Sequence, residues 1–243
     1  MISYIIPARN EVKYIQEPLE SILTQNISEE KEIIVVDNGS TDGTGEYVSK
    51  NFSGVKVVYE KIPGINPARE KGFRESKGNI VIFVDADTKL PPNWTSRAVK
   101  VLRSSKNIVA VSGPYHFDDL TNPLHKILLW LAEVFVFVNA WISDRIFTWN
   151  TILKAGDMAI KREVLEKIGG FDPQFKFYRE DVDTAKKLLK HGRVMYVWSL
   201  MVGSSARRFK KTGVVRQMWN YFFQHWMGIL SDGPWKKKDD EPR

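Results

Sequence analysis

Two aspartates, Asp85 and Asp87, close the apolar run "IVIFV", one residue apart. Side chains alternate in direction along an extended strand end, so both carboxylates face the same way. A divalent cation between them, or between one of them and phosphate oxygens, relieves their repulsion, because hard cations take oxygen ligands. The bland alternative is an Asx turn ahead of a helix start near Pro91. The stretch "DNGSTDGT" from Asp37 to Thr44 supplies turn and cap residues. At a strand end it also leaves a carboxylate for a base or ribose, with backbone amides turned to an anion. Glu180 and Asp181 in "REDVD" are adjacent acids at a helix start. The helix dipole stabilises acids there, and a general base needs only one of them. Arg69 and Lys71 in "GINPAREKG", and Arg207 and Arg208 in "SSARRFKKTG", read as phosphate contacts or as solvated charge. No histidine pair with metal spacing, nucleophile elbow or P-loop lysine signature occurs.

These groups need a scaffold, and the first half of the chain supplies its pattern. The runs "ISYII", "EIIVV", "VKVVY", "NIVIFV" and "NIVAVS" are continuously apolar, as strands covered on both faces are. Between them, Ile15, Leu19, Ile22 and Leu23 share one helical face, and Trp94, Ala98, Val101 and Leu102 share another. The alternation predicts an α/β fold with a mostly parallel sheet flanked by helices. Ligands of such sheets bind beyond the C-terminal strand ends. There "PARNE", "DNGSTDGT" and "DADT" follow the first, second and fourth runs. A short strand, "VMYVW", comes later in the chain.

The 243 residues include no cysteine, which excludes disulfides and thiolate metal sites. A formal charge of +7 favours anionic partners, but the cations are scattered and no nucleic-acid motif accompanies them, so no nucleic-acid partner is expected. The N-terminus has no secretory pattern, which points to the cytoplasm. The apolar window "ILLWLAEVFVFVNAWI", residues 127–142, is shorter than the roughly 20 residues of a spanning helix and contains Glu133. It is expected to be buried or interfacial. A C-terminal helix places Arg216, Gln217, Asn220 and Gln224 in one narrow polar stripe, is apolar elsewhere, and leads to "KKK". Both segments fit either internal packing or a peripheral anchor on the inner face of the membrane.

In order and spacing, "IIPARNE", "VVDNGSTDGT", "GINPAREKG", "FVDADT", "GDMAIKREVLEKIGGFD" and "REDVD" resemble the family 2 glycosyltransferases of the GT-A fold. These are inverting enzymes that use nucleotide-diphospho-sugars. The resemblance implies a GT-A domain over residues 1–210, with a nucleotide-sugar half (1–115) and an acceptor half (116–210), then a helix and basic tail (211–243). By the same resemblance, Pro7, Ala8, Arg9 and Glu11 match the first nucleotide loop. Asp37, with Asn38 beside it, matches the acid that contacts a uridine-type base. Arg69 and Lys71 line the diphosphate side, and Arg207 and Arg208 are further diphosphate candidates. Asp85, Ala86 and Asp87 form the DxD motif, in which Asp87 ligates Mn2+ or Mg2+ and Asp85 leans toward ribose or metal-bound water. Asp157 falls on the acceptor side, Asp181 at the catalytic base, and Glu180 beside it. The implied partners are a UDP-type sugar donor and a saccharide or polyprenyl-lipid-linked acceptor.

The "QxxRW" signature of processive synthases is missing, since "RQMWNY" has the wrong spacing. No third metal ligand stands out, and His225 sits in an aromatic stretch that suits packing. Two other readings use the same residues. "FVDADT" also satisfies the DxDxT nucleophile motif of haloacid-dehalogenase-type phosphatases, and the basic charge would suit a non-catalytic nucleic-acid or membrane module.

Overall fold

The computed structural model describes residues 1–147, 150–175 and 179–230, and the side chain of Phe147 is not among them. Tyr178 and the basic tail with its "KKK" lie outside the described residues. Seven strands form the main sheet: β1 (Ile2–Ala8), β2 (Lys31–Asp37), β3 (Val55–Tyr59), β4 (Ile80–Val84), β6 (Ile108–Ser112), β8 (Asp157–Lys161) and β9 (Arg193–Tyr196). Their order is β3-β2-β1-β4-β8-β6-β9. A small sheet of β5 (Thr88–Lys89), β10 (Val202–Ser204) and β7 (Tyr115–His116) sits apart.

The five apolar runs are all strands, and both faces of the sheet are covered. Ile2, Tyr4, Ile6, Ile33, Val35, Ile82 and Val84 point to one core, and Ile5, Ile34, Val36, Val81 and Phe83 to the other. This explains why the strands read as unbroken apolar runs rather than alternating ones. Helices α1 (Gln16–Leu23), α2 (Thr44–Asn51) and α4 (Trp94–Ser104) contribute to the first core through Leu19, Ile22, Val48, Trp94, Ala98 and Leu102. Leu23 departs from the expected helical face and is exposed. Helices α3 (Ile65–Glu75), α6 (Arg162–Lys167) and α7 (Glu180–Leu189) cover the second with Phe73, Leu165 and Leu188.

Strands β1, β2, β3 and β4 are mutually parallel, so their C-terminal loops gather at one edge. Strand β8 lies antiparallel between β4 and β6, pairing Val84 with Asp157. That insertion is invisible in local patterning, because "DMAIK" carries no turn signal that would announce its direction. It delivers the "GD" dipeptide to the end of the DxD strand.

The chain then turns to helices. Asn122 caps α5 (Pro123–Ile142) by accepting a bond from the Leu124 amide, with Pro123 in the first turn where a missing N–H costs nothing. Helical structure continues through residues 143–147, and the 24 residues Pro123–Ile146 are long and apolar enough to cross a membrane by length and composition. The length expected from the sequence was too short, because the polar "SD" step does not end the helix. Nor is α5 a core helix: Leu129, Glu133 and Ala140 are buried, while its aromatic residues are largely outside. Helices α8 (Arg207–Thr212) and α9 (Val214–Leu230) close the described chain.

Candidate active site

The loops after β1 and β2 lock together. Asn10 adopts a left-handed φ of 56°, a conformation asparagine tolerates better than most residues. Its Oδ1 accepts from the Thr41 amide at 2.8 Å, while its own amide donates to Ser40 Oγ at 3.0 Å. Asp37 is buried at the base of this loop pair. Its Oδ1 accepts from the Ser40 amide and its Oδ2 from the Gly45 amide at 3.1 Å, which closes the turn and ties it to the first turn of α2, whose N-cap is Gly43 rather than one of the capping side chains of the stretch. Asn38 ties the second loop to the third: its Nδ2 donates to the carbonyls of Glu60 and Ile62, and its Oδ1 accepts from the Gly64 amide at 2.8 Å. Pro7 and Ala8 belong to β1 itself, so the first loop begins at Arg9.

Asp85 and Asp87 follow β4 at the centre of this edge. The Asp85 amide donates to the Gly156 carbonyl at 3.2 Å, and Ala86 between the two acids is buried. A Cβ on Gly156 would stand 2.4 Å from Asp85 Oδ2, so the missing side chain leaves the Asp85 carboxylate the space it occupies. Burial, then the neighbouring charge of Asp85, pushes the Asp87 carboxyl up to about 6. The small sheet lays the chain's distant segment over this point, pairing Ser204 with Thr88 and Val202 with Tyr115. Arg207 is thereby brought to a bidentate pair with Glu11, at 2.5 and 2.6 Å, and its Nε lies 3.2 Å from Asp87 Oδ2. Arg208 stands beside Tyr221, Asp85 and Asp87.

Across the crevice, α7 presents its first turn. Arg69, almost wholly buried on α3, places its terminal nitrogens 3.7 Å from Asp85 and 3.6 Å from Glu180, outside hydrogen-bond range. Its Nε, and Arg9 Nε and Nη1, are buried without a partner among the described residues. Buried donors of this kind want an acceptor, and a phosphate is the acceptor that guanidinium geometry suits. Burial raises the carboxyls of both Glu180 and Asp181. Lys71 is not drawn in: its Nζ pairs with Glu75 at 2.9 Å on the outer side of α3.

Asp157 is fully buried, and its Oδ2 accepts from the Gly113 amide at 2.8 Å. Its Oδ1 has no partner among the described residues, and burial holds its carboxyl well above the usual range. Residues that the sequence did not single out surround it. Tyr115 OH accepts from the Gly156 amide at 3.1 Å, and Lys154 Nζ lies 4.5 Å from the Tyr115 ring centroid. Lys154 in turn pairs with Glu133 of α5, which also accepts from Tyr196 OH at 2.6 Å. The one available signal for this group was a lone acid in an apolar helix.

A carboxylate pair, an acid on a helix N-terminus and partnerless guanidinium nitrogens thus share one crevice at the ends of parallel strands. The family model described as Glycosyl transferase family 2 matches residues 3–183. The chain belongs to glycosyl transferase family 2. Glycosyltransferase AglE of Haloferax volcanii is 30% identical to this family 2 chain over 198 residues, covering 79% of the chain and 62% of that protein. The probable glycosyltransferase YdaM of Bacillus subtilis is 27% identical over 202 residues, covering 79% of the chain and 47% of that protein. Among solved structures, the mannosyltransferase PcManGT from Pyrobaculum calidifontis, in complex with GDP-Man and Mn2+, aligns with a TM-score of 0.72 at 26% identity. It covers 96% of this chain and 64% of that one. The chain therefore spans less than two thirds of the length of each of these relatives. The fold is the GT-A fold of family 2, and membership takes the chain out of the DxDxT phosphatases.

The donor chemistry here suits a hard divalent ion of the kind bound in PcManGT. Asp85 and Asp87 offer oxygen only, and among the described residues no group of three or more acidic, histidine or cysteine side chains is placed to hold an ion. Two protein carboxylates completed by phosphate oxygens and water are the usual arrangement for magnesium-like ions. His225 lies half-buried in α9, where burial lowers its pKa, and adds nothing to this set.

Proposed function

We propose that this chain is an inverting, metal-dependent, non-processive glycosyltransferase. It moves a sugar from a nucleotide-diphospho-sugar, with UDP-sugars favoured, to an acceptor hydroxyl or a lipid-linked phosphate or saccharide. Its place is the cytoplasm, with peripheral contact to the inner face of the membrane. The observation that supports this most is the juxtaposition of Asp85 and Asp87 with Arg69 and the α7 acids across one crevice.

Asp87, assisted by Asp85, would hold the Mn2+ or Mg2+ ion. When bound, the ion stabilises the negative charge on the departing diphosphate. Arg9, Arg69, Arg207 and Arg208 contribute positive charge on the same side. For Arg207 this means exchanging its bonds to Glu11 and Asp87 for phosphate oxygens. Asp37, beneath the loop pair, keeps the base pocket in shape and faces the uracil edge. Asp181, with Glu180 beside it, takes the acceptor proton. The acceptor oxygen attacks the anomeric carbon as the bond to the diphosphate breaks, the electron pair leaves with the diphosphate, and the configuration inverts. Asp157 supports the acceptor side from below through its bond to Gly113.

The reading is tested by thermal shift with UDP-, GDP-, dTDP- and CMP-sugars, each with and without Mn2+. Stabilisation by a UDP-sugar that needs the metal is the expected result, and no response to any nucleotide would remove the reading. Gly156→Ala supplies a separate check. The added methyl meets the movable ends of Asp85 and Tyr115 rather than backbone, so the melting temperature should stay close to that of the wild type. Activity should fall about a hundredfold, the scale set by an ångström-sized misplacement of a reacting group. Wild-type kcat/KM in this variant would mean that Asp85 is not held in position by β8.

A further inference from the structure

Helices α5 and α9 join through a small core of Leu120, Leu129, Phe209 and Val214, against which Leu128 and Met218 also pack. Their inner sides belong to the crevice. Glu133 of α5 holds Lys154 beside Asp157, Tyr221 of α9 touches Arg208, and Gly228 packs on Val182, next to Asp181. Their outer sides are apolar, and among the described residues nothing covers them. Trp130 is 55% exposed, Phe135 60% and Trp219 66%, with Trp141, Phe222 and Trp226 also outside. On α9 the rings of Trp219, Phe222 and Trp226 form a continuous ladder, with centroids 5.9 and 6.1 Å apart. The polar Gln217 points inward and bonds Thr212, so α9 is amphipathic with its apolar side toward solvent.

We infer that the outer faces of α5 and α9 form one docking surface for an anionic lipid bilayer. A soluble chain seldom leaves so many large apolar side chains uncovered on two helices that share one small core. Charge selects the occupant: within residues 123–146 and 214–230 the acids are Glu133, which is buried, and Asp144, which is turned inward to Arg193. Lys126, Arg145, Lys211 and Arg216 are exposed around the patch. Indole and phenyl rings bordered by cations are the composition of helices that lie in the headgroup region of acidic membranes. A second copy of the chain would set the same cations against themselves across a two-fold interface. Helix α5 lies on the surface rather than crossing it, because Glu133, Lys154 and Tyr196 fasten its inner side to the domain. Docking brings the crevice mouth to the headgroups, where an acceptor anchored in lipid is presented to Asp181. That consequence for the acceptor rests on the transferase reading, whereas the docking itself does not.

The test is co-sedimentation of the intact chain with phosphatidylcholine vesicles prepared with and without phosphatidylglycerol, followed also by tryptophan fluorescence. The wild type should bind the anionic vesicles with a blue-shifted emission. Trp219→Glu with Phe222→Glu, and Trp130→Glu with Phe135→Glu, should each weaken binding at least about tenfold, while keeping whatever nucleotide-induced thermal shift the wild type shows. A wild type that ignores both vesicle types overturns the inference, as do variants that bind as tightly as it does. So does a dimer that the same substitutions dissociate without any vesicle binding. Vesicle binding by a chain that fails the nucleotide screen would remove the donor reading and leave the docking surface standing.

Discussion

Asp181→Asn is expected to lower kcat by about a hundred- to ten-thousandfold, the range that a positioned general base contributes, while nucleotide binding stays near that of the wild type. The side chain sits in the first turn of α7, across the crevice from Asp85, and Asn keeps its size. Burial raises its carboxyl above the ordinary value, near 4 for an aspartate. The sign follows directly: a base acts when deprotonated, so kcat/KM should fall as pH drops through that raised value. The acidic limb should therefore lie above pH 4 and vanish in the variant. Stability moves the other way. An acid whose pKa is raised by folding favours the folded state while protonated and loses that contribution as pH rises through the folded value. Above that raised value the variant no longer carries the carboxylate charge that burial disfavours, so its melting temperature there should equal or exceed the wild type's, separating lost chemistry from lost structure. Glu180→Gln, carried alongside, should cost less; if it costs more, the base is Glu180 and the assignment to Asp181 is wrong.

For Asp87→Asn we expect kcat/KM to fall about a thousandfold, the scale of losing one preorganised electrostatic contact to developing charge. The metal-dependent part of nucleotide stabilisation should disappear with it. Asn keeps the shape and one acceptor oxygen but removes the charge that a hard cation requires. Calorimetry with Mn2+ and UDP separates the two effects: a lost metal response beside a retained weak nucleotide response is the expected pattern. The partners of Arg207 make the result specific. In the wild type its guanidinium spans Glu11 and Asp87, and the variant leaves the Glu11 pair intact, so the α8 segment should keep its position. An unchanged metal response would place the ion elsewhere and undo the role given to the DxD pair.

Strand positions, the parallel order of the first half and the gathering of polar loops at one sheet edge were legible in the sequence. Each is written in runs of neighbouring residues: β-branched stretches covered on both faces, turn residues at their ends, and Asp85 directly after β4, opening the turn that carries Asp87. The tertiary structure alone decided what depends on pairing across long separations. The antiparallel entry of β8 sets Asp157 against Val84, and the small sheet carries Arg207 back to Glu11, 196 residues earlier in the chain. It also decided which candidates have free polar atoms. Asn38 spends its amide on three backbone groups of the third loop, an outcome that no spacing encodes, whereas the turn of Lys71 to Glu75 is an i,i+4 helix pair that the sequence already offered. The direction of α9 is the same kind of fact. An amphipathic pattern states that a helix has two sides, but only the packing of Val214, Gln217 and Gly228 against the domain puts the tryptophans outside.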